Sequence, residues 1–297
     1  MIGLGRMGAN MAQRLQQGGH RVVGHDPMEA ARARAAETGM AVFDSLAAAV
    51  AALPVPRVVW LMVPAGDTVD QTLAQLVPHL AEGDVVIDGG NSNYQDSIRR
   101  ARSLADDDIF YLDCGTSGGV WGLQEGYSLM IGGDAATAET LAPIFQTLAP
   151  AADKGWARVG PSGAGHYTKM IHNGIEYGMM QAYAEGFGLL DASPFDVDPA
   201  ALGHLWMRGS VVRSWLLELA AAAYEAEGPK LDAIEPWVED SGEGRWMLEE
   251  AVERRVPTPA LAAALFARFE SRGQGDHAAK FTAALRNQFG GHAVRTK

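Results

Sequence analysis

Short apolar runs rich in β-branched residues alternate with segments of helical periodicity over the first half of the chain. Runs of this length and composition are typical of buried parallel strands. Strands that alternate with helices predict a doubly wound α/β sheet. The predicted strands cover residues 20–26, 57–63, 84–90, 109–114, 127–133 and 153–159, and the predicted helices cover residues 9–19, 67–80, 94–104 and 135–148.

Only helical periodicity remains after residue 160. The change of pattern falls near Pro161, in the loop GPSGAG. We therefore predict an α/β domain over residues 1–161, followed by an all-helical C-terminal domain over residues 162–297. The predicted helices of the second domain cover residues 167–190, 199–207, 211–224, 245–254, 259–271 and 277–288.

Composition narrows the class of protein. The 297 residues are 47% hydrophobic and 20% charged, as in globular domains, and the net charge of −12 argues against a nucleic-acid-binding surface. The single cysteine, Cys114, excludes an internal disulfide and fits a reducing compartment. The apolar runs are too short to span a membrane, and the first residues lack the features of a signal peptide. We expect a cytoplasmic protein without nucleic-acid or membrane partners.

The opening sequence MIGLGRMG contains the pattern G-x-G-x-x-G, formed by Gly3, Gly5 and Gly8. A helical segment follows, and the next predicted strand ends at Asp26. Glycines allow a pyrophosphate to approach the backbone, and an acid about 20 residues later accepts from a ribose hydroxyl. This order predicts a Rossmann-type dinucleotide site. Only two residues precede the glycines, so the first strand is short or the sequence begins upstream.

Three glycine-rich loops follow predicted strands, at residues 63–66, 88–92 and 113–119. In a doubly wound sheet, ligands bind beyond the carboxyl ends of the strands. Successive backbone N–H groups in such loops can hold an anion such as a carboxylate. A plain turn explains each loop taken alone, but three loops at one sheet edge favour a binding site.

The segment KMIHNGIEYGM, residues 169–179, carries the strongest chemical signal. On a helix, Lys169, His172, Asn173, Glu176 and Tyr177 share one face. A solvated surface helix is the alternative interpretation, but the apolar, glycine-rich flanks argue against it. An amine and a carboxylate two turns apart suit a reaction with two proton transfers, such as oxidation of a 3-hydroxy acid followed by loss of CO₂. We expect no metal, because no ligand cluster with metal spacing is visible.

These motifs resemble one known family. GLGRMG, LMVPAG, IDGGNS, the loop through Ser117-Gly118-Gly119 and above all KMIHNGIEYGMMQ are similar to decarboxylating 6-phosphogluconate dehydrogenases. The resemblance covers nearly the whole chain. The chain lacks the extra helical repeat of the longer family members and is therefore similar to the short branch of the family.

The resemblance implies a role for each matching residue. Lys169 would deprotonate the 3-hydroxyl and later protonate the keto oxygen, while Glu176 would protonate C1 of the enediol. Asn173 and His172 would orient substrate oxygens and the lysine. The other implied substrate ligands are Asn91, Ser117, Gly118, Gly119, Tyr177, Arg268, Arg286 and His292. The implied cofactor ligands are Gly3, Gly5, Arg6, Met7, Gly8, Asp26, Val63, Pro64 and Asn91.

The resemblance also implies an assembly. The tail LRNQFGGH, with Arg286 and His292, matches a family segment that enters the neighbouring subunit's site. A homodimer or homotetramer that binds 6-phosphogluconate is the expected form. A frayed, solvated terminus is the alternative interpretation of this tail.

Two departures from the family pattern qualify these expectations. Ser241 stands where a phosphate-binding lysine is usual, and Glu243 replaces a hydroxyl residue. Arg268, Arg286 and Lys230 are the cations that could compensate. The other departure is His25-Asp26-Pro27 in place of an Asn-Arg-Thr type sequence, which predicts NAD in preference to NADP because Asp26 would repel a 2′-phosphate.

Two other functions stay open at the level of sequence. A non-decarboxylating 3-hydroxyacid dehydrogenase, acting for example on 3-hydroxyisobutyrate or tartronate semialdehyde, needs Lys169 and Asn173 but not Glu176 or Tyr177. A non-catalytic nicotinamide-binding regulator would tolerate the loss of Lys169, and a turnover assay distinguishes it from an enzyme.

Overall fold

The computed structural model describes residues 1–290, 293 and 295, with side chains described through residue 288 and at those two positions. The chain forms two compact units, Met1–Ile171 and a second that begins at His172. The domain boundary predicted at residue 161 stays a prediction.

The first unit is built on a parallel-dominated sheet. Its strands are β1 (Val23–His25), β2 (Ala41–Phe43), β3 (Val58–Leu61), β4 (Val85–Asp88), β5 (Phe110–Ser117), β6 (Ser128–Gly132) and β7 (Trp156–Gly160). β1 pairs with β2, and β3 to β7 pair in chain order; only the β5–β6 pair is antiparallel. Ile2 bridges His25 on one side and Leu61 on the other, and so joins both groups of strands. The strand order reverses at Ile2, which therefore marks the switch point of a doubly wound sheet.

Helices enclose both faces of the sheet. They are α1 (Arg6–Gln17), α2 (Glu29–Ala36), α3 (Leu46–Ala51), α4 (Asp67–Leu76), α5 (Tyr94–Ala105), α6 (Gly122–Glu125), α7 (Ala135–Thr140) and α8 (Ala142–Leu148). Alternate strand residues enter two separate apolar clusters: Trp60 belongs to one, and its neighbours Val59 and Leu61 belong to the other. The predicted doubly wound fold is therefore confirmed.

Two local predictions for the first unit differ most from the structure. No element was predicted for residues 29–51, which form α2, β2 and α3. The helix predicted over residues 135–148 is divided at Leu141 into α7 and α8. Pro143 lies in the first turn of α8, where the N–H that proline lacks would have no helical partner in any case.

The described part of the second unit contains only helices. α9 (Ala164–Asp191) begins in the first unit and is 28 residues long. It is followed by α10 (Pro199–Trp206), α11 (Trp215–Glu227), α12 (Glu243–Glu253), α13 (Pro259–Ser271) and α14 (Asp276–Gly290). α11 begins four residues later than predicted because the Ser214 side chain caps it by accepting from the Leu217 N–H.

Within the described residues, we find no helix with the length and apolar character needed to cross a membrane.

Candidate active site

The glycine turn between Ile2 and α1 leaves an open helix N-terminus. A Cβ on Gly8 would lie 2.0 Å from the Gly3 carbonyl oxygen, so the turn packs too closely for a side chain there. Gly5, the N-cap of α1, has open space around its Cβ direction and gives no side-chain cap. The first-turn N–H groups, next to Arg6 and Met7, therefore present a positive end suited to a pyrophosphate.

Asp26 lies directly after β1, beside the glycine turn. Its carboxylate accepts hydrogen bonds from the backbone N–H of Leu4 and of Met28, each at 2.8 Å, and the side chain is buried. A carboxylate has about four acceptor positions, so two stay available for ribose hydroxyls. Arg32 donates to the Asp26 carbonyl oxygen at 2.7 Å. The residues present thus fit the adenosine half of a dinucleotide.

The loop after β4, which carries Asn91, is organised by the buried Asp88. One carboxylate oxygen accepts from the Gly90 N–H at 3.1 Å, and the other accepts from the hydroxyls of Ser92 (2.7 Å) and Tyr111 (3.0 Å). Burial raises the pKa of Tyr111 well above its usual value, and the adjacent Asp88 raises it further. Asn91 itself is exposed at the end of this ordered turn.

Buried Arg100 connects that loop with the loop after β3. Its guanidinium donates to the Gly66 carbonyl oxygen at 3.0 Å and to Asp70 at 2.9 Å, and lies 3.5 Å from Asp88. Hydrogen bonding by Arg100 lowers the pKa of Asp70 to about 2. Val63 and Pro64 precede Gly66, so the predicted cofactor residues of this loop have a rigid support.

The loop with Ser117, Gly118 and Gly119 follows β5 and turns sharply. Gly118 has φ 136° and Gly119 has φ 54°, which L-residues with a side chain rarely adopt. Arg14 of α1 fixes the chain beyond this turn, donating to the carbonyl oxygen of Leu123 at 3.1 Å and also to those of Gln124, Thr147, Leu148 and Ala149. The helix that begins at the dinucleotide turn thus also holds the segment that follows the predicted carboxylate loop.

Lys169 packs against the backbone of β5. The Asp113 carboxylate accepts from the N–H groups of Gly163 (2.6 Å) and His166 (2.9 Å) and so caps the start of α9. A Cβ on Gly115 would lie 2.4 Å from the Lys169 Cβ, so only glycine permits this approach. Lys169 is buried, with 7% of its surface exposed.

Further along α9, Asn173 is the buried centre of a polar group. Its Nδ2 donates to Glu243 Oε1 at 2.6 Å, and its Oδ1 lies 3.0 Å from His172 Nδ1. His172 Nδ1 also lies 3.8 Å from Glu176 Oε2, and both of these side chains are about one-third exposed. Glu176 is therefore accessible, as a proton donor to a bound substrate must be.

A second polar group surrounds Tyr177. The Tyr177 hydroxyl lies 3.1 Å from Ser241 Oγ, and the Arg268 guanidinium carbon lies 3.4 Å above the ring centroid, a cation–π contact. Arg268 also donates to the Glu239 carbonyl oxygen at 2.9 Å. The structure thus brings together two of the predicted phosphate ligands, Tyr177 and Arg268.

Three other cationic side chains, those of Arg286, Lys230 and His292, were also considered as substrate ligands from the sequence. Arg286 is exposed on α14, and Lys230 forms an ion pair with Asp191 at 2.6 Å. His292 lies outside the described residues. No group of three or more metal-ligating side chains occurs among the residues that the structure describes, and the expectation of no metal stays a prediction.

Sequence reasoning missed several residues that organise the site. Glu243 was noted only as a departure from a family pattern, although it hydrogen-bonds Asn173 across 70 positions. Asp88 and Asp113 could have been found, because each is an acid that directly follows a run of apolar residues in the sequence. Arg14 and Arg100 gave no signal, since cations on amphipathic helices are usually solvated.

Comparisons with known proteins agree with this geometry. Residues 1–158 match the model of the NAD binding domain of 6-phosphogluconate dehydrogenase, and residues 165–289 match its C-terminal domain. An NAD(+)-dependent, decarboxylating 6-phosphogluconate dehydrogenase of Haloferax volcanii is 44% identical over 297 residues, which is all of this chain and 98% of that protein. A protein of the same description from Bacillus subtilis is 36% identical over 91% of this chain and 60% of its own length.

A solved structure shows the same architecture. Plasmodium falciparum 6-phosphogluconate dehydrogenase, studied with its cofactor NADP+ and its substrate 6-phosphogluconate, superposes with a TM-score of 0.83 at 28% identity. The match covers all of this chain and 65% of that one. The chain thus spans about two thirds or less of these longer relatives and nearly the full length of the Haloferax protein.

The Rossmann-type sheet, its dinucleotide turn and the helical second unit define an NAD(P)-binding oxidoreductase. The chain belongs to the 6-phosphogluconate dehydrogenase family.

Proposed function

We propose that this protein oxidatively decarboxylates 6-phosphogluconate to ribulose 5-phosphate and CO₂, with NAD as the preferred oxidant. The observation that carries the proposal is α9, which presents a buried Lys169 and then Asn173, Glu176 and Tyr177 along one helix. The naming of the Haloferax relative supports the same reaction.

The side chains account for the proton transfers of this reaction. Lys169 would remove the proton of the 3-hydroxyl, and a nicotinamide held by the dinucleotide turn and Asp26 would supply the hydride acceptor for C3. The C1–C2 bond of the resulting 3-keto acid then breaks, CO₂ leaves, and Lys169 returns the proton to the keto oxygen. Glu176 finally protonates C1 of the enediol, which is the carbon that was C2 of the keto acid. Proton transfer by positioned groups of this kind contributes about 10²–10⁴-fold to a rate.

The substrate contacts follow the positions of the loops. Ser117, Gly118 and Gly119 would hold the carboxylate, and Asn91 would contact both substrate and nicotinamide. At the other end, Tyr177 and Arg268 would contact the phosphate. Their stacked arrangement supports this assignment, because the guanidinium charge stays fixed over the ring.

The proposed preference for NAD rests on Asp26. Its negative charge lies where the adenosine ribose of a Rossmann-bound dinucleotide is expected, so a 2′-phosphate would meet electrostatic repulsion. Two relatives are described as NAD(+)-dependent, whereas the Plasmodium enzyme is described with NADP+.

We also propose a homodimer or homotetramer in which the tail with Arg286 and His292 completes a neighbouring site. Large apolar side chains are exposed in the second unit, including Val211 (99%), Leu189 (75%) and Phe195 (74%), and a partner subunit would cover them. The expectation of a cytoplasmic location rests on the sequence alone.

The first experiment is steady-state oxidation of 6-phosphogluconate with NAD and NADP in parallel, with CO₂ release measured. We expect turnover with NAD and one CO₂ per cofactor reduced. Cofactor reduction without CO₂ would favour a non-decarboxylating 3-hydroxyacid dehydrogenase. Absence of any turnover would favour a nicotinamide-binding regulator.

A further inference from the structure

Glu243 is a buried carboxylate with no part in the proposed proton transfers or substrate contacts. It is the first residue of α12, and only 3% of its surface is exposed. A helix N-terminus stabilises a negative charge at this position. Both carboxylate oxygens have partners: Oε1 accepts from Asn173 Nδ2 at 2.6 Å, and Oε2 accepts from the Ser241 hydroxyl.

The negative charge of Glu243 determines how Asn173 is oriented. A carboxylate can only accept hydrogen bonds, so the amide nitrogen of Asn173 must face it, and the amide oxygen must point away. That oxygen lies 3.0 Å from His172 Nδ1. His172 therefore has to carry a proton on Nδ1, which leaves Nε2 of the neutral ring as an acceptor.

The same argument fixes the hydroxyl groups on the other side of Glu243. Because Ser241 gives its only hydroxyl proton to Glu243, it cannot donate to Tyr177. In the protein without substrate, the Tyr177 hydroxyl, 3.1 Å away, therefore donates to Ser241 Oγ, a bond that it would exchange for one to the phosphate when substrate binds. One buried charge thus sets the direction of four consecutive hydrogen bonds.

We propose that Glu243 is a positioning residue that sets the amide orientation of Asn173 and, through it, the tautomer of His172. The kinetic consequence rests on the proposed function, since Asn173 and His172 are the groups assigned to orient substrate oxygens and Lys169. The structural consequence, the Nδ1–H tautomer, is independent of any substrate.

The turn that leads into α12 places Glu243 next to Asn173. Gly242 has φ 98°, a left-handed conformation that turns the chain into α12, and its N–H donates to Asp240 at 3.0 Å. A Cβ on Gly244 would lie 2.7 Å from the Tyr177 ring, so the helix start packs directly against α9. Gly242 before Glu243 and Gly244 after it are thus both required for the carboxylate to approach Asn173.

The spectroscopic test measures the His172 tautomer by ¹⁵N chemical shifts of the imidazole ring in the unliganded protein. The His172 signals are assigned by their absence in His172→Gln. We expect the Nδ1–H form in the wild type and in Glu243→Gln, whose amide oxygen can still accept from Asn173. We expect a shift toward the Nε2–H form in Glu243→Ala and Glu243→Met.

The kinetic test compares the same variants with 6-phosphogluconate and NAD. We expect Glu243→Ala and Glu243→Met to lose about 10²-fold in kcat, as small misplacements of orienting groups do. We expect Glu243→Gln to stay within about tenfold of the wild type, and the Kd for NADH to be unchanged in all three. Glu243→Met keeps the side-chain volume, so poor folding of the alanine variant does not remove the test.

Glu250→Gln is the matched control. Glu250 is a second buried acid on α12, but it forms an ion pair with Arg254, so we expect wild-type kcat and the wild-type His172 tautomer in this variant. The proposal is overturned if the tautomer is unchanged in both Glu243→Ala and Glu243→Met, or if Glu250→Gln produces the same loss. If the wild type fails to oxidise 6-phosphogluconate, the proposed function fails, while the tautomer measurement still decides the role of Glu243.

Discussion

At the scale of single residues, Asp26 combines an observed contact with a proposed role. Its carboxylate accepts from the N–H groups of Leu4 and Met28, and we propose that its charge also faces the ribose of the cofactor. Asp26→Asn removes the charge and keeps the shape, whereas Asp26→Ser also loses reach to both N–H groups. We predict that Asp26→Asn raises the ratio of kcat/KM for NADP to that for NAD about tenfold, equivalent to about 1.4 kcal/mol.

Glu29→Gln is the control for this prediction, because Glu29 is an exposed acid three residues away at the start of α2. It should leave the cofactor ratio near the wild-type value. An unchanged ratio in Asp26→Asn would show that the assignment of Asp26 to cofactor choice is wrong.

Cys114 offers a second prediction at this scale. The thiol is fully buried in the sheet core, and burial raises its pKa far above the usual range. Since the thiolate is the reactive form, we predict no reaction with a thiol reagent in the native protein and one equivalent after unfolding in urea. Rapid labelling without urea would contradict the burial of this strand.

The sequence located several of these residues but not their hydrogen bonds. The shared helical face of Lys169 and Asn173 followed from spacing alone, because helical periodicity is local. The contact between Asn173 and Glu243 joins positions 70 residues apart, and the spacing within either segment does not reveal it.

At the scale of elements, the start of α9 depends on Asp113. Asp113 lies within β5, where its fully buried carboxylate accepts hydrogen bonds from the backbone N–H groups of Gly163 and His166. We predict that Asp113→Asn, which loses one of these charge-assisted bonds, lowers the free energy of unfolding by about 1.5–3 kcal/mol. Urea denaturation measures this, and Asp134→Asn, at the exposed cap of α7, should cost less.

The contact between Asp70 of α4 and Arg100 of α5 predicts that the stability of the fold depends on pH. Hydrogen bonding by Arg100 lowers the pKa of Asp70 from 3.8 to about 2, so the folded state favours the ionised carboxylate. The stabilisation is complete above about pH 4 and is lost as the pH falls toward 2. We predict that the difference in urea midpoint between wild type and Asp70→Asn shrinks over this interval. A constant difference from pH 5 to pH 2.5 would refute the linkage.

Sequence patterns predicted long elements better than short ones. The helix predicted over residues 167–190 is observed as α9, since a long amphipathic pattern leaves little ambiguity. The three short elements between residues 29 and 51 were missed, because β2 has only three residues and α2 has only two buried alanines on its inner face.

At the scale of the whole molecule, the proposed shared site predicts complementation between defective subunits. Lys169→Ala lacks the proposed catalytic amine, and Arg286→Ala lacks the proposed substrate ligand of the tail. If each site combines Lys169 of one subunit with Arg286 of another, a hybrid dimer has one intact site. Random mixing should then recover about a quarter of wild-type activity.

Each variant refolded alone is the control, and sedimentation of the wild type gives the number of subunits. If the activity of the mixture is no greater than the average activity of the two separate variants, the tail acts within its own subunit or has no role in the site.

α9 also limits how this chain could be recombined with its relatives. Lys169 and Asn173 lie on the two sides of the unit boundary, yet they belong to one uninterrupted helix. One residue inserted between them would rotate everything that follows by about 100° and turn Asn173 away from the lysine. Chimaeras that exchange substrate-binding halves should therefore be joined in the turn before Ala164, and length variation among natural relatives is expected to avoid this stretch.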